Sequence, residues 1–132
     1  MLHSALQKYL DDIESIVRTL TNVHIEKYVE EILSFERLNV RMRLRFSNGC
    51  LLEINEAVVV ANEKVETPGY RHHFQDAKQA LIFRYDNAPH FPNLPTFPNH
   101  KHLPGKTVAA AKPTIPETIA EAYTAAEAMA KS

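Results

Sequence analysis

Apolar residues recur at helical spacing early in the chain. Leu6, Leu10, Ile13, Ile16, Val17 and Leu20 share one face of residues 4–20, which predicts an amphipathic helix packed on a core. Ser4 is placed to cap it and Thr21-Asn22 to end it. Residues 23–36 satisfy two patterns. Ile25, Tyr28, Val29, Ile32 and Leu33 fit a helical face, yet valine, isoleucine, tyrosine and phenylalanine favour strands and the segment runs straight into one. Periodicity slightly favours helix, and the choice stays open.

From residue 40 the period changes to two. Val40, Met42, Leu44 and Phe46 alternate with Arg41, Arg43 and Arg45, and a second strand follows in Cys50–Glu56. A two-residue turn at Asn48-Gly49 would set Leu44 against Glu53. A three-residue loop with Gly49 in the left-handed region sets Phe46 on Cys50, Leu44 on Leu52, Met42 on Ile54 and Arg43 beside Glu53. The three-residue loop is therefore expected. It places Glu56 opposite Val40 on the apolar face, either at a frayed core edge or in a site. Another apolar run, 57–60, leads to a polar turn ending in Pro68-Gly69. Residues 70–86 read as a second hairpin, with a loop at 76–79 that pairs Phe74 with Leu81, His72 with Phe83 and Tyr70 with Tyr85. This register opposes Arg71 to Arg84, an unfavourable pair that suggests a shared anion or carboxylate.

Between Pro89 and Pro104 a proline falls at nearly every third position. Proline fixes φ and removes a donor, and the spacing matches the roughly three residues per turn of polyproline II. An extended strip is expected, with Phe91, Leu94, Phe97 and His100 on a greasy edge and His90, Asn93, Thr96, Asn99 and His102 on a polar one. The aromatic face of Tyr70, Phe74, Phe83 and Tyr85 would be its bed. Residues 105–113 read as a linker. Thr114-Ile115-Pro116-Glu117 is a capping box with proline in the first turn, opening a helix to about residue 130. Its narrow stripe of Ile115, Ile119, Ala122, Tyr123, Ala126 and Met129 suggests weak packing on its own domain and room to dock on another subunit. The expected fold is α+β: an antiparallel sheet of four to five strands built from two hairpins, a helix packed on it, the proline strip and a terminal helix. Residues 1–104 would form one domain and 105–132 a linker and helix.

Composition narrows the function. With 15 basic and 16 acidic residues and a net charge of −1, nucleic-acid binding would need a local patch. The lone Cys50 excludes an internal disulfide and suits a reducing compartment. No apolar run approaches the roughly 18 residues of a membrane span, and the start lacks a signal-peptide pattern. A cytoplasmic protein is expected, with no membrane partner.

The candidate chemistry lies in the histidines. His72, His73, His90, His100 and His102 fall within 31 positions. They could serve as general acids and bases, contact RNA, bind a metal, or simply hydrogen-bond the strip in place. The metal reading is weak, because His100 and His102 align only on an extended backbone and no cysteine assists. No metal or other cofactor is therefore expected. Asp86 and Asn87 either start a turn or, in the case of Asp86, orient a histidine. The arginine stripe, with Arg71 and Arg84, is either a solvated face or a phosphate-binding one. The PxxP spacing could also engage a polyproline-binding domain.

Three runs resemble the TumE family of bacterial toxins. They are Tyr70-Arg71-His72-His73-Phe74-Gln75-Asp76, Leu81-Ile82-Phe83-Arg84-Tyr85-Asp86-Asn87-Ala88-Pro89-His90, and Leu94-Pro95-Thr96-Phe97-Pro98-Asn99-His100-Lys101-His102. With Leu51–Glu56 upstream, the resemblance covers roughly residues 40–103. Asn99 stands where a histidine is usual, and His72 where an aromatic is usual. The resemblance implies a toxin neutralised by a cognate DNA-binding antitoxin, and hands over no catalytic residues. The order of elements is similar to that of the small RelE-like ribonuclease toxins, at the level of fold only. RNA is the expected substrate, cleaved without a metal. His90 and His102 would act as acid and base, with Glu56 or Asp86 orienting a histidine. Arg84, Lys101 and Arg71 would hold phosphate beside Tyr70, His72, His100 and Asn87. A homo-oligomer is also expected. The alternative is a non-catalytic interaction module using the proline strip or the terminal helix.

Overall fold

The computed structural model describes residues 1–130. In chain order its elements are α1 (Ser4–Val17), β1 (Val23–Ser34), β2 (Arg37–Phe46), β3 (Leu51–Ala61), β4 (Lys64–Gln75), β5 (Leu81–Asp86), β6 (His100–Leu103), β7 (Lys106–Ala109) and α2 (Ile115–Ala130). All seven strands pair antiparallel in sequence order to form a single sheet. The α+β class is as expected, but the sheet has seven strands rather than four to five.

Period-two alternation sorts the sheet into two faces. Leu44, Leu52, Ile54, Phe74 and Phe83 are buried on one, against Leu6, Leu10 and Ile13 of α1 and Ile115, Ile119 and Ala122 of α2. Arg41, Arg43, Asn55, Arg71, Arg84, Asp86, His100 and His102 share the other. The alanine-rich α2 thus packs into its own core, through Ile115, Thr118, Ile119 and Ala122. Its capping box forms as expected: Glu117 N donates to Thr114 Oγ1 at 3.1 Å, and Thr114 N donates to Glu117 Oε1 at 2.8 Å. At α1 the cap is His3, whose Nδ1 accepts from Ala5 N at 3.0 Å; Ser4 is already helical.

Residues 23–36 resolve to strand. A bulge between Ile25 and Lys27 leaves Ile25 and Tyr28 on one face at a spacing of three, which imitates a helix. The β2–β3 hairpin keeps the expected register, including Met42 on Ile54, Arg43 beside Glu53 and Glu56 opposite Val40. Gly49 takes a φ of +90° in its loop.

The second hairpin differs from expectation. Phe74 pairs with Phe83, His72 with Tyr85 and Arg71 with Asp86, and a bulge follows between Phe74 and Gln75. Arg71 therefore opposes a carboxylate, and Arg84 lies opposite His73. Pro68-Gly69 is not a turn: it lies within β4, and the reversal occurs at Asn62-Glu63, both at positive φ. Within the linker assigned to 105–113, Lys106–Ala109 forms β7.

The proline segment is not an extended strip. It folds into successive turns, with Leu94 N bonding Phe91 O at 3.2 Å, Phe97 N bonding Leu94 O at 3.0 Å and Asn99 N bonding Thr96 O at 2.8 Å. Pro92 and Pro95 occupy the second position of the first two turns, where their fixed φ is already correct. The Phe97-Pro98 bond, in the third turn, is cis. Of the expected aromatic bed, Tyr70 meets the segment, its hydroxyl donating to Asn99 Oδ1 at 2.8 Å, whereas Phe74 and Phe83 are buried in the core. Phe91 packs on His100 and His102, with ring centroids 4.8 and 5.8 Å away.

Candidate functional site

Two polar clusters lie on opposite faces of the sheet. On the helix-covered face, Glu56 of β3 is fully enclosed. It accepts from the Tyr9 hydroxyl of α1, from His72 Nε2 at 2.7 Å and from Lys112 Nζ at 2.9 Å. His72 Nδ1 meets Thr118 Oγ1 of α2 at 2.7 Å. Burial pushes the Glu56 carboxyl up, but His72, Lys112 and Tyr9 together outweigh it and hold the group below the usual carboxylate range. Burial pushes His72 down despite the neighbouring carboxylate. The neutral imidazole then donates from Nε2 to Glu56 and accepts at Nδ1 from Thr118. Every polar atom is satisfied, and five separate chain segments are tied together.

On the open face, β5 and β6 bring Asp86, His100 and His102 together. Strand pairing sets Asp86 directly across from His100, and the two-residue repeat puts His102 on the same face. His100 Nε2 is 2.7 Å from Asp86 Oδ1, His102 Nε2 is 3.3 Å from Asp86 Oδ2, and the two Nε2 atoms are 3.0 Å apart. Asp86 Oδ1 also accepts from Ala88 N at 3.1 Å. Asp86 and His100 are buried, whereas the His102 side chain is 24% exposed. Burial is the main cause that lowers the His102 pKa, against the pull of Asp86.

Asp86 and His102 of this cluster border a cavity of about 400 Å³, lined also by Tyr70, Arg71, Arg84, Asn87, Ala88 and His90. A neighbouring cavity of about 420 Å³ shares Tyr70 and Arg71 and continues to Arg41 and Asn55, so the two form one trough across the strands. Asp86 is the strand partner of Arg71, yet among the described residues neither Arg71 nor Arg84 forms an ion pair with a carboxylate. Arg84 Nε instead donates to His73 Nδ1 at 3.0 Å. By contrast, Arg43 is taken up by Glu53 at 2.8 Å and Arg45 by Glu26 at 2.9 Å.

Most of the residues singled out in the sequence thus meet around one cavity. Glu56 and His72 belong to the other face, where Glu56 orients His72. Lys101 is also on that face, 2.6 Å from Glu121 Oε2 and beside the Tyr85 ring. The sequence reading missed Phe91 as the cover of the histidines, the Pro98 carbonyl, which takes a hydrogen bond from His100 Nδ1 at 3.0 Å, and Thr107, whose hydroxyl is 3.3 Å from His102 Nδ1. The first was visible only as part of a greasy edge, and the last two depend on the turn at Pro98 and on β7.

No helix among the described residues is long and apolar enough to cross a membrane. A family model described as toxin TumE matches residues 12–130, well beyond the span of the quoted motifs. No curated protein and no solved structure matches the chain.

Proposed function

The chain belongs to the TumE toxin family, and from that premise we propose that its toxic activity is RNA cleavage in the trough over Asp86, His100 and His102. The observation that carries this reading is the meeting of Asp86, His90, His102, Arg71 and Arg84 around one open cavity, where among the described residues neither arginine forms an ion pair with a carboxylate. RNA cleavage needs a proton acceptor for the 2′-hydroxyl, a proton donor for the leaving oxygen and positive charge on the phosphate. The Asp86–His102 pair accepts the 2′-hydroxyl proton as the 2′-oxygen bonds to phosphorus. The bond from phosphorus to the 5′-oxygen breaks, and His90 at the rim gives that oxygen a proton. Arg71 and Arg84 balance the charge on the phosphate, and Tyr70 and Asn87 line its approach. A toxin implies a cognate antitoxin, and we take it to be a DNA-binding protein that blocks this trough.

The test is expression of the chain with its antitoxin withheld, followed by growth curves and RNA gels. Growth arrest with fragmented RNA is expected, and His90→Ala together with Arg84→Ala should abolish both while the protein stays folded. Arrest with intact RNA would sink the ribonuclease reading and favour the non-catalytic interaction module instead.

A further inference from the structure

We propose that Asp86, His100 and His102 form a binding site for one divalent transition-metal ion of the zinc type. The donor atoms of the three side chains lie within 4.8 Å of one another, with separations of 2.7, 3.0 and 3.3 Å among the closest pairs. Zinc–nitrogen bonds of about 2.0–2.1 Å place neighbouring tetrahedral donors roughly 3.3 Å apart. Opening the closest pair by about 0.6 Å and the two imidazole nitrogens by about 0.3 Å brings the cluster towards that spacing, as three ligands on one side of an ion. Two histidines and one carboxylate with the remaining positions open is a ligand set that imidazole-preferring metals adopt.

The hydrogen bonding fixes how the donors are oriented. His100 is 99% buried. Its Nδ1 faces the Pro98 carbonyl at 3.0 Å, and a carbonyl can only accept. The Nδ1–H therefore donates to that carbonyl, which turns Nε2 towards the cluster. Asp86 Oδ1 lies 2.7 Å from that nitrogen. His102 Nε2 completes the meeting at 3.0 Å. A metal ion seated among these three donor atoms would be held by all three side chains. Around it the supporting contacts of a metal site are already in place. The Pro98 carbonyl fixes the His100 tautomer, Thr107 Oγ1 stands 3.3 Å from His102 Nδ1, and Ala88 N–H holds the carboxylate. Phe91 supplies an apolar wall against both imidazoles.

The open side faces the cavity with Arg71, Arg84 and His90. The ion adds two positive charges where a phosphate is to bind, and it lowers the pKa of a bound water towards neutrality. This use rests on the ribonuclease reading. The metal-bound hydroxide then replaces the His102 imidazole as acceptor of the 2′-hydroxyl proton, and the rest of the step is unchanged. Metal binding itself does not depend on that reading.

The test uses the full chain without an affinity tag, stripped with chelator and titrated with Zn²⁺ by calorimetry and with Co²⁺ by visible absorption. One equivalent should bind. His100→Ala and Asp86→Asn should each weaken binding at least tenfold. Thr107→Val, which alters only a supporting contact, should weaken it about tenfold while leaving the fold intact. No saturable binding, or equal binding by His100→Ala and His102→Ala proteins that remain folded by circular dichroism, overturns the site. Metal binding without RNA cleavage keeps the site and removes the ribonuclease reading. Full cleavage by a chelator-stripped protein that binds no metal does the reverse.

Discussion

His72 Nε2 and Glu56 Oε2 lie 2.7 Å apart, and neither side chain touches solvent. The pair joins β3 to β4, and its further contacts reach α1, α2 and the segment before α2. Removing one partner of a buried charged network is costly because the other groups stay desolvated. Glu56→Gln should destabilise the protein by about 3 kcal/mol, at the lower end of that range. Urea unfolding measures this. The side chains of the cluster lie on the helix-covered face and out of solvent, so the folded fraction should retain whatever RNA cleavage the parent shows. A loss of rate without a loss of stability would give Glu56 a catalytic part.

The same pair sets a pH dependence. His72 is held below its ordinary 6.5, chiefly by burial, with Lys112 acting in the same direction and Glu56 against it. The unfolded chain therefore binds the proton more readily than the folded one. Stability is fully present above about pH 6.5 and falls as pH drops towards the folded value, by up to about 1.4 kcal/mol per pH unit for one proton. Glu56, lowered from 4.5, adds a second loss below that value. His73, also lowered by burial, contributes in the same sense as His72. Unfolding free energies at pH 7.5, 6.0 and 5.0 should decline, and His72→Gln should flatten part of the decline. An identical slope in the variant would show that His72 does not titrate in this range.

The sequence revealed hairpin register where apolar alternation ran unbroken on both strands. Leu44 and Leu52 could meet in only one way once the loop had three residues. It failed at Phe74, because Asp76 closes a longer loop by accepting from Lys78 N at 2.8 Å and Ala80 N at 2.9 Å, and the bulge beside it carries no pattern of its own. Spacing prolines by three serves consecutive turns as well as an extended helix, so pattern alone could not tell them apart. Asp86, His100 and His102 were each recognisable as chemically capable. Their contact was not, since it arises from pairing β5 with the four residues of His100-Lys101-His102-Leu103, which have no apolar alternation to announce a strand. Tyr9, Lys112 and Thr118 gave no signal either: a lone polar residue on an apolar stripe reads as a solvated edge until its partner is known.

Gly49 offers a sharper check on the β2–β3 loop. Its φ of +90° suits glycine. A Cβ added there would also come within 2.7 Å of Ala77 Cβ, in the loop of the next hairpin. Gly49→Ala should cost about 2 kcal/mol from backbone strain and crowding together. Adding Ala77→Gly should recover the crowding part and leave the strain. Thermal melts of the single and double variants separate the two contributions. Equal melting temperatures for the parent and Gly49→Ala would mean that the loop relaxes freely.

The final prediction concerns Arg43 of β2 and Arg84 of β5, which strand alternation made equivalent and the structure does not. Arg43 contacts Glu53 at 2.8 Å and Glu26 at 3.4 Å, so its charge is already answered within the sheet. Among the described residues, the Arg84 side chain bonds a histidine nitrogen and no carboxylate, and it borders the cavity. A cation that contacts a phosphate of single-stranded RNA contributes about 0.7 to the slope of log affinity against log salt. Arg84→Ala should therefore reduce that slope by about 0.7 and weaken binding most at low salt. Arg43→Ala should leave both nearly unchanged. Filter binding of a labelled single-stranded RNA across a salt series reads the difference. If Arg43→Ala changes the slope and Arg84→Ala does not, the RNA path runs over the β2 end of the sheet, away from the histidine cluster.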